Sequence, residues 1–252
     1  MAVSNTAAGQ AEISVLFIGN SLTYYNDMPE ILKELAITAG KKISVASVTK
    51  GSSTMCRQAS SATEIGVRVD GMLQNHWDYV VIQPSRRITP KEDSVRIAEF
   101  EAGKRLDSRI KKTGAETVIY CTWGSNTGST GIFRMNDDKV NASADGSFAI
   151  SQDGHSRFMQ DICREYSDML GADIVDCAEL FRYLIKEHPE VNLYHTDNKH
   201  PSVYGSFAAA CAFFAYFFGE SAEEAAKSNT KGVEEDIAVM LAKAADRIVG
   251  KA

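Results

Sequence analysis

The chain predicts an α/β fold, a three-layer α/β/α sandwich built on a five-stranded parallel sheet. Five short apolar runs rich in β-branched residues recur along its 252 residues, at 13–18, 43–48, 78–82, 116–121 and 173–176. Segments with apolar residues at helical spacing separate them, so each strand is joined to the next by a crossover and the sheet is parallel, covered on both faces. Right-handed crossovers leave few other topologies.

Taken in order, Ile13 to Ile18 is the first strand, followed by a helix near 28–39. The second strand runs over 43–48 and precedes a helix near 60–75; the third, at 78–82, precedes a helix near 91–112. The basic residues from Lys104 to Lys112 alternate with apolar ones at helical spacing, which reads as the solvated face of that helix. The fourth strand, 116–121, leads into the one irregular stretch, 124–154, rich in Gly, Ser, Asn and Asp. Such a length without periodicity points to a lid, a substrate rim or a surface excursion. A helix near 155–170, the fifth strand and helices near 178–188, 202–218 and 232–249 complete the pattern. Residues 1–252 read as one domain, with 1–12 a flexible N-terminus and 124–154 a long insertion.

Apolar residues make up 44% and charged residues 24%, the balance of a globular chain able to bury a full core. A net charge of −6 and the absence of a basic cluster argue against a nucleic-acid partner. Phe207 to Phe218 is uncharged but far short of the roughly 20 residues a bilayer span needs, so it reads as a buried helix rather than a membrane insertion. Five widely spaced cysteines without a C-x-x-C pair read as free thiols and favour a reducing, cytoplasmic compartment. Met1 to Glu12 has neither a charged nor an apolar leader region, though removal of a signal peptide from a secreted protein would leave the same appearance. Oligomeric state is not readable.

Ligands of open α/β sheets bind beyond the carboxyl ends of the strands, and the chemically capable residues fall there. Ser21 follows the first strand within Gly19-Asn20-Ser21-Leu22-Thr23, Gly51 the second, Gln83 the third and Trp123 the fourth. Near the other end, Asp197-Asn198-Lys199-His200-Pro201 offers a carboxylate three residues from an imidazole, with Pro201 suited to open the next helix. A serine beside a histidine that an acid orients is a competent nucleophile. Arg86 and Arg87, just beyond Gln83, read either as solvated surface arginines or as partners for an anionic substrate group, and Trp123 either stacks on a sugar, lines an acyl pocket or packs in the core or at the rim. Trp77 reads as a packing anchor. The glycines of 124–131 lack a nucleotide-binding pattern. Asn141 to Gln152 lacks the closing glutamate of a calcium loop, and His76, His155, His188 and His195 have no metal-ligand spacing. No metal or organic cofactor is implied.

The two motifs together resemble the SGNH, or GDSL, hydrolase superfamily: Gly19-Asn20-Ser21-Leu22 is similar to its first block, with Asn20 where aspartate is usual, and Asp197-x-x-His200 to its last. The resemblance runs from residue 13 to about 218 and implies the flavodoxin-like sandwich with Ser21 as nucleophile, His200 as general base and then acid, and Asp197 orienting it. It also implies an oxyanion hole from the Ser21 amide, the Gly51 amide and a side chain after the third strand. The usual Gly-x-Asn-Asp block is absent; Val80-Val81-Ile82-Gln83 stands there, so Gln83 becomes the candidate third donor. Asn20, Arg86 and Trp123 are the candidate substrate-binding residues. The expectation is a serine esterase acting on small esters, foremost O-acetyl groups on carbohydrates. A lipid or thioester hydrolase would instead need an apolar cleft using Met28, Met55 or Phe133, and a non-catalytic flavodoxin-like binding module is the third alternative.

Overall fold

The computed structural model describes residues 12–85, 94–132, 141–142, 147–228 and 231–249. Of the stretch expected to be flexible, 1–12, all but Glu12 lies outside them. The main sheet joins β2 (Ile43–Thr49), β1 (Ile13–Gly19), β3 (Tyr79–Ile82), β4 (Glu116–Cys121) and β8 (Asp173–Asp176) in that order, every neighbouring pair parallel. In register, Val15 lies opposite both Val45 and Tyr79, and Ile119 opposite both Ile82 and Ile174.

Helices cover both faces, which is why β1 is buried continuously from Val15 instead of alternating with polar residues. Alternate side chains feed two cores. Val15, Phe17, Val81 and Tyr120 pack with α2 (Met28–Thr38), α7 (Cys177–Glu187), α8 (Val203–Phe218), α9 (Glu223–Ser228) and α10 (Glu235–Val249). Leu16, Ile18, Val80 and Ile82 pack with α3 (Met55–Gln58), α4 (Glu64–Met72), α5 (Ser94–Lys112) and α6 (Gln152–Leu170). The apolar helix α8 is buried on almost every side, and the Phe213 ring meets Phe17 and Tyr120 edge-on, each at 5.0 Å. Each such phenylalanine contributes roughly 1.5–3 kcal/mol of burial. Among the described residues no helix is long and apolar enough to cross a membrane.

Two local expectations change. The helix expected near 60–75 is the shorter α4, which starts only at Glu64 because Thr63 accepts from the Gly66 amide at 3.0 Å, and the separate short α3 precedes it. The stretch 124–154 is not uniformly irregular. It carries a three-stranded antiparallel sheet of order β5-β7-β6, formed by β5 (Ser129–Ile132), β6 (Asn141–Ala142) and β7 (Ser147–Ile150). Strands of two to four residues set among turn-forming residues are too short for periodicity to reveal. Helix α6 then begins at Gln152, where Ser151 caps the Gly154 amide.

The strand order reverses between β1 and β3: β2 lies on one side of β1, and β3, β4 and β8 on the other. That crevice is the natural ligand position of such a sheet.

Candidate active site

The turn after β1 is held from behind. Asn20 is the N-cap of α1 (Ser21–Tyr24), its Oδ1 accepting from the Leu22 amide at 3.1 Å. Ser21 therefore occupies the first helical position. Gln83, 1% exposed at the end of β3, braces the turn: its Oε1 accepts from the Asn20 amide (3.0 Å) and the Thr23 hydroxyl (2.7 Å), and its Nε2 donates to Asn20 Oδ1 (3.0 Å). Asn20 Nδ2 donates to the Ser53 carbonyl at 3.2 Å, tying in the loop after β2. Gly19 permits this packing, because a Cβ there would sit 2.2 Å from Thr23 Oγ1 and 2.8 Å from Gln83 Oε1.

The second motif lies in a loop closed on itself. Tyr194 bridges Pro201, the His195 amide donates to the His200 carbonyl (2.9 Å), and Ser202 donates to the Leu193 carbonyl (2.8 Å). Asp197 Oδ1 accepts from the amides of Lys199 and His200, each at 2.9 Å. Its Oδ2 lies 2.5 Å from His200 Nδ1, and His200 Nε2 lies 2.8 Å from Ser21 Oγ. With the carboxylate on Nδ1, that nitrogen carries the proton and Nε2 is free to accept from the serine. Burial opposes the Asp197 charge, but the hydrogen bonds from the His200 ring and the two amides outweigh it and hold the carboxyl well below its ordinary range.

Between the motifs runs a short 3₁₀ turn, Tyr25–Asp27, in which Asn26 and Asp27 adopt left-handed backbone (φ 52° and 55°). Asn26 Nδ2 lies 3.1 Å from the Pro201 carbonyl, 3.0 Å from that of Ser202 and 2.8 Å from Ser206 Oγ. The Ser206 hydroxyl donates in turn to the Tyr25 carbonyl at 3.1 Å. The first motif is thereby fastened to the last.

Ser21 and His200 open into a cleft of about 810 Å³. Its lining is mostly hydroxyl-bearing and charged, with Ser52, Ser53, Thr54, Arg57, Glu99 and Lys199 against a few small apolar groups. Cys56 also lines it, but burial first, then hydrogen bonding and charge from Glu99, push its thiol up to about 11, so it is not a thiolate rival to Ser21 at neutral pH.

The structure thus brings Ser21, Asp197 and His200 together. His195, the neighbouring histidine, keeps its Nδ1 at 3.8 Å from Asp197 Oδ2 and makes no hydrogen bond to Ser21. Among the described residues the amides of Ser21 and Gly51 have no hydrogen-bond partner, as an oxyanion site requires. Four expectations change. Gln83 is not a free donor at the cleft; its carboxamide is engaged with Asn20 and Thr23 because its side chain folds back under the turn. Asn20 lines the cleft but acts as cap and tether rather than as an open substrate contact. Trp123 is fully buried, stacked on Phe181 at 3.7 Å, with Nε1 donating to the Lys199 carbonyl at 3.3 Å, so it supports the second motif from within the core. Pro201 does not open α8 either, which starts at Val203 under a Ser202 cap. Arg86 lies outside the described residues. The Asn26 clamp escapes sequence reading, since an asparagine five residues past the serine signals only a turn.

The chain matches no protein-family model and no curated protein sequence. Solved structures do match. A candidate SGNH hydrolase from Slackia heliotrinireducens is 27% identical at a TM-score of 0.58, over 79% of this chain and 96% of that one. A DUF4886 family protein from Bacteroides uniformis is 16% identical with a TM-score of 0.70 over 94% of both chains. An acetyl xylan esterase is 16% identical with a TM-score of 0.56, over 78% of this chain and 96% of that one. With the five-stranded parallel sheet and its order already in hand, these likenesses identify the architecture: the chain has the SGNH-hydrolase fold.

Proposed function

We propose that this protein is a serine esterase that removes small acyl groups, foremost acetyl groups, from carbohydrate hydroxyls. The observation that carries the reading is the continuous chain from Ser21 Oγ through the His200 ring to Asp197. Ser21 Oγ attacks the ester carbonyl carbon while its proton passes to His200 Nε2, a transfer worth about 10²–10⁴ in rate. The oxyanion is met by the amides of Ser21 and Gly51, each such donor being worth about 10²–10³. Collapse breaks the bond to the sugar oxygen, which leaves with the proton from His200. Water then gives a proton to His200 and attacks the acyl-serine, releasing acetate and restoring Ser21.

Two things favour a small polar ester over a lipid. Hydroxyl-bearing and charged side chains outnumber aliphatic ones around the cleft, where Leu22, Val95 and Ala98 are the aliphatic ones among the described lining. Met28 and Met55, the residues an acyl channel would need, are buried in the two cores at 1% and 0% exposure, and Phe133 lies outside the described residues. The carbohydrate acetyl ester is also suggested by the acetyl xylan esterase among the proteins of like fold.

The test is hydrolysis of p-nitrophenyl acetate, butyrate and octanoate, and of an acetylated xylo-oligosaccharide, by wild type and Ser21→Ala. Activity greatest on acetate and abolished in Ser21→Ala is expected, with Ser21 labelled by a fluorophosphonate. A folded wild type inert to all four esters and to the fluorophosphonate would leave the fold as a binding module.

A further inference from the structure

The cleft beside Ser21 contains a cation without a counter-charge. Arg57, on α3, lines it, and among the described residues its guanidinium takes part in no ion pair and no hydrogen bond. Of the other arginines, Arg96 is answered by Glu165, Arg109 by Asp70, Arg164 by Asp161, and Arg182 by Asp153 and Glu179, whereas the exposed Arg68 and Arg105 resemble Arg57 in having no ion pair among the described residues; Arg57 differs from those two in lining the cleft. Glu99 is the one acidic residue among the described lining, and it is committed elsewhere. Its Oε2 accepts from the Met55 amide at 2.8 Å and its Oε1 from the Cys56 amide at 3.2 Å, with no ion pair to Arg57. Lys199 adds a second positive charge to the same lining.

An independent observation lies four positions before Arg57. Ser53 is 2% exposed and lines the cleft, yet among the described residues its hydroxyl has no hydrogen-bond partner. A buried hydroxyl left unpaired is unfavourable, and a ligand oxygen would satisfy it. Its carbonyl is held by Asn20 Nδ2, so the hydroxyl is carried on a fixed piece of backbone between Gly51 and α3.

We infer that Ser53 and Arg57 form an anion subsite, and that the ester substrate carries a carboxylate, as acylated uronic-acid residues do. A guanidinium matches a carboxylate with two parallel hydrogen bonds, and a serine hydroxyl supplies one more donor. The inference rests on the esterase reading of Ser21 and names the substrate class for it.

The experiment compares kcat/KM for an acetylated methyl glucuronide and for its uncharged methyl ester. At low ionic strength the acid is expected to be preferred about tenfold, in line with a charge-assisted pair at a partly screened site. Arg57→Gln brings the ratio close to one, Arg57→Lys keeps part of it, and added salt lowers it in wild type. A wild-type ratio near one, or a preference that survives Arg57→Gln, overturns the subsite while leaving the esterase reading intact. Should the folded protein hydrolyse neither compound nor p-nitrophenyl acetate, the esterase reading fails, and calorimetric binding of the same two glycosides reads the subsite directly. Tighter binding of the acid that Arg57→Gln removes supports it, and equal binding overturns it.

Discussion

The phenol ring of Tyr25 lies flat against the imidazole of His200, with centroids 4.4 Å apart and planes 11° from parallel. An aromatic face attracts a cation placed over it, by about 0.5–2 kcal/mol. During acylation His200 becomes an imidazolium, so the stack favours the charged state that the reaction passes through. Tyr25→Leu is expected to lower kcat/KM for p-nitrophenyl acetate about three- to tenfold, whereas Tyr25→Phe, which keeps the face, stays close to wild type. Equal losses in both variants would assign the effect to the hydroxyl instead.

Gln83 stabilises the turn that presents Ser21. Gln83→Leu leaves the Asn20 amide and the Thr23 hydroxyl buried without their acceptor, which costs about 2–4 kcal/mol for the two groups together. Urea unfolding is expected to show that loss alongside a fall in kcat. A fall in kcat with unchanged stability would instead make Gln83 a donor to the oxyanion.

Asp197 carries a pH prediction. Its carboxyl is held below the ordinary value in the folded protein, so its contribution to stability is complete above the unfolded carboxyl range, near pH 4, and is lost as pH falls through the lower folded value. The difference in Tm between wild type and Asp197→Asn is therefore expected to stay constant from pH 8 to pH 5 and to shrink only in stronger acid. Activity falls about 10²–10⁴-fold in Asp197→Asn across the neutral range, because the ring loses the partner that fixes its tautomer.

Asn26 tests the clamp between the two motifs. Asn26→Ala removes the contacts to Pro201, Ser202 and Ser206 and is expected to cost about 1–3 kcal/mol in thermal or urea unfolding. Asn26→Gly relieves any left-handed strain but not the missing bonds, so it recovers only part of the loss. Both variants are expected to lower kcat more than they raise KM.

What the sequence reveals here follows the reach of its signals. Strands such as Ile13–Gly19 announce themselves because helices bury both faces, leaving an unbroken apolar run. Ser21 is legible because it follows a strand end, and Asp197 and His200 because they share one short motif in the loop before α8. Local pattern says nothing of partners distant in the chain, and that is where expectation and structure part. Gln83 has the right chemistry for the cleft, but Asn20 and Thr23 lie within reach and take it. Trp123 ends a strand at the ligand edge, yet Phe181 covers it. The small sheet within 124–154 stays hidden because its strands are too short to show a period.

The hydrogen bond from Ser21 to His200 joins positions 179 residues apart. During synthesis the first strand and its serine emerge long before the histidine, at about 5–20 residues per second. A nascent chain therefore exposes a hydroxyl that nothing activates, and hydrolysis begins only after the closing loop docks beneath Asn26. Turnover in a translation reaction would then serve as a clock for the last step of folding, read without a structural probe.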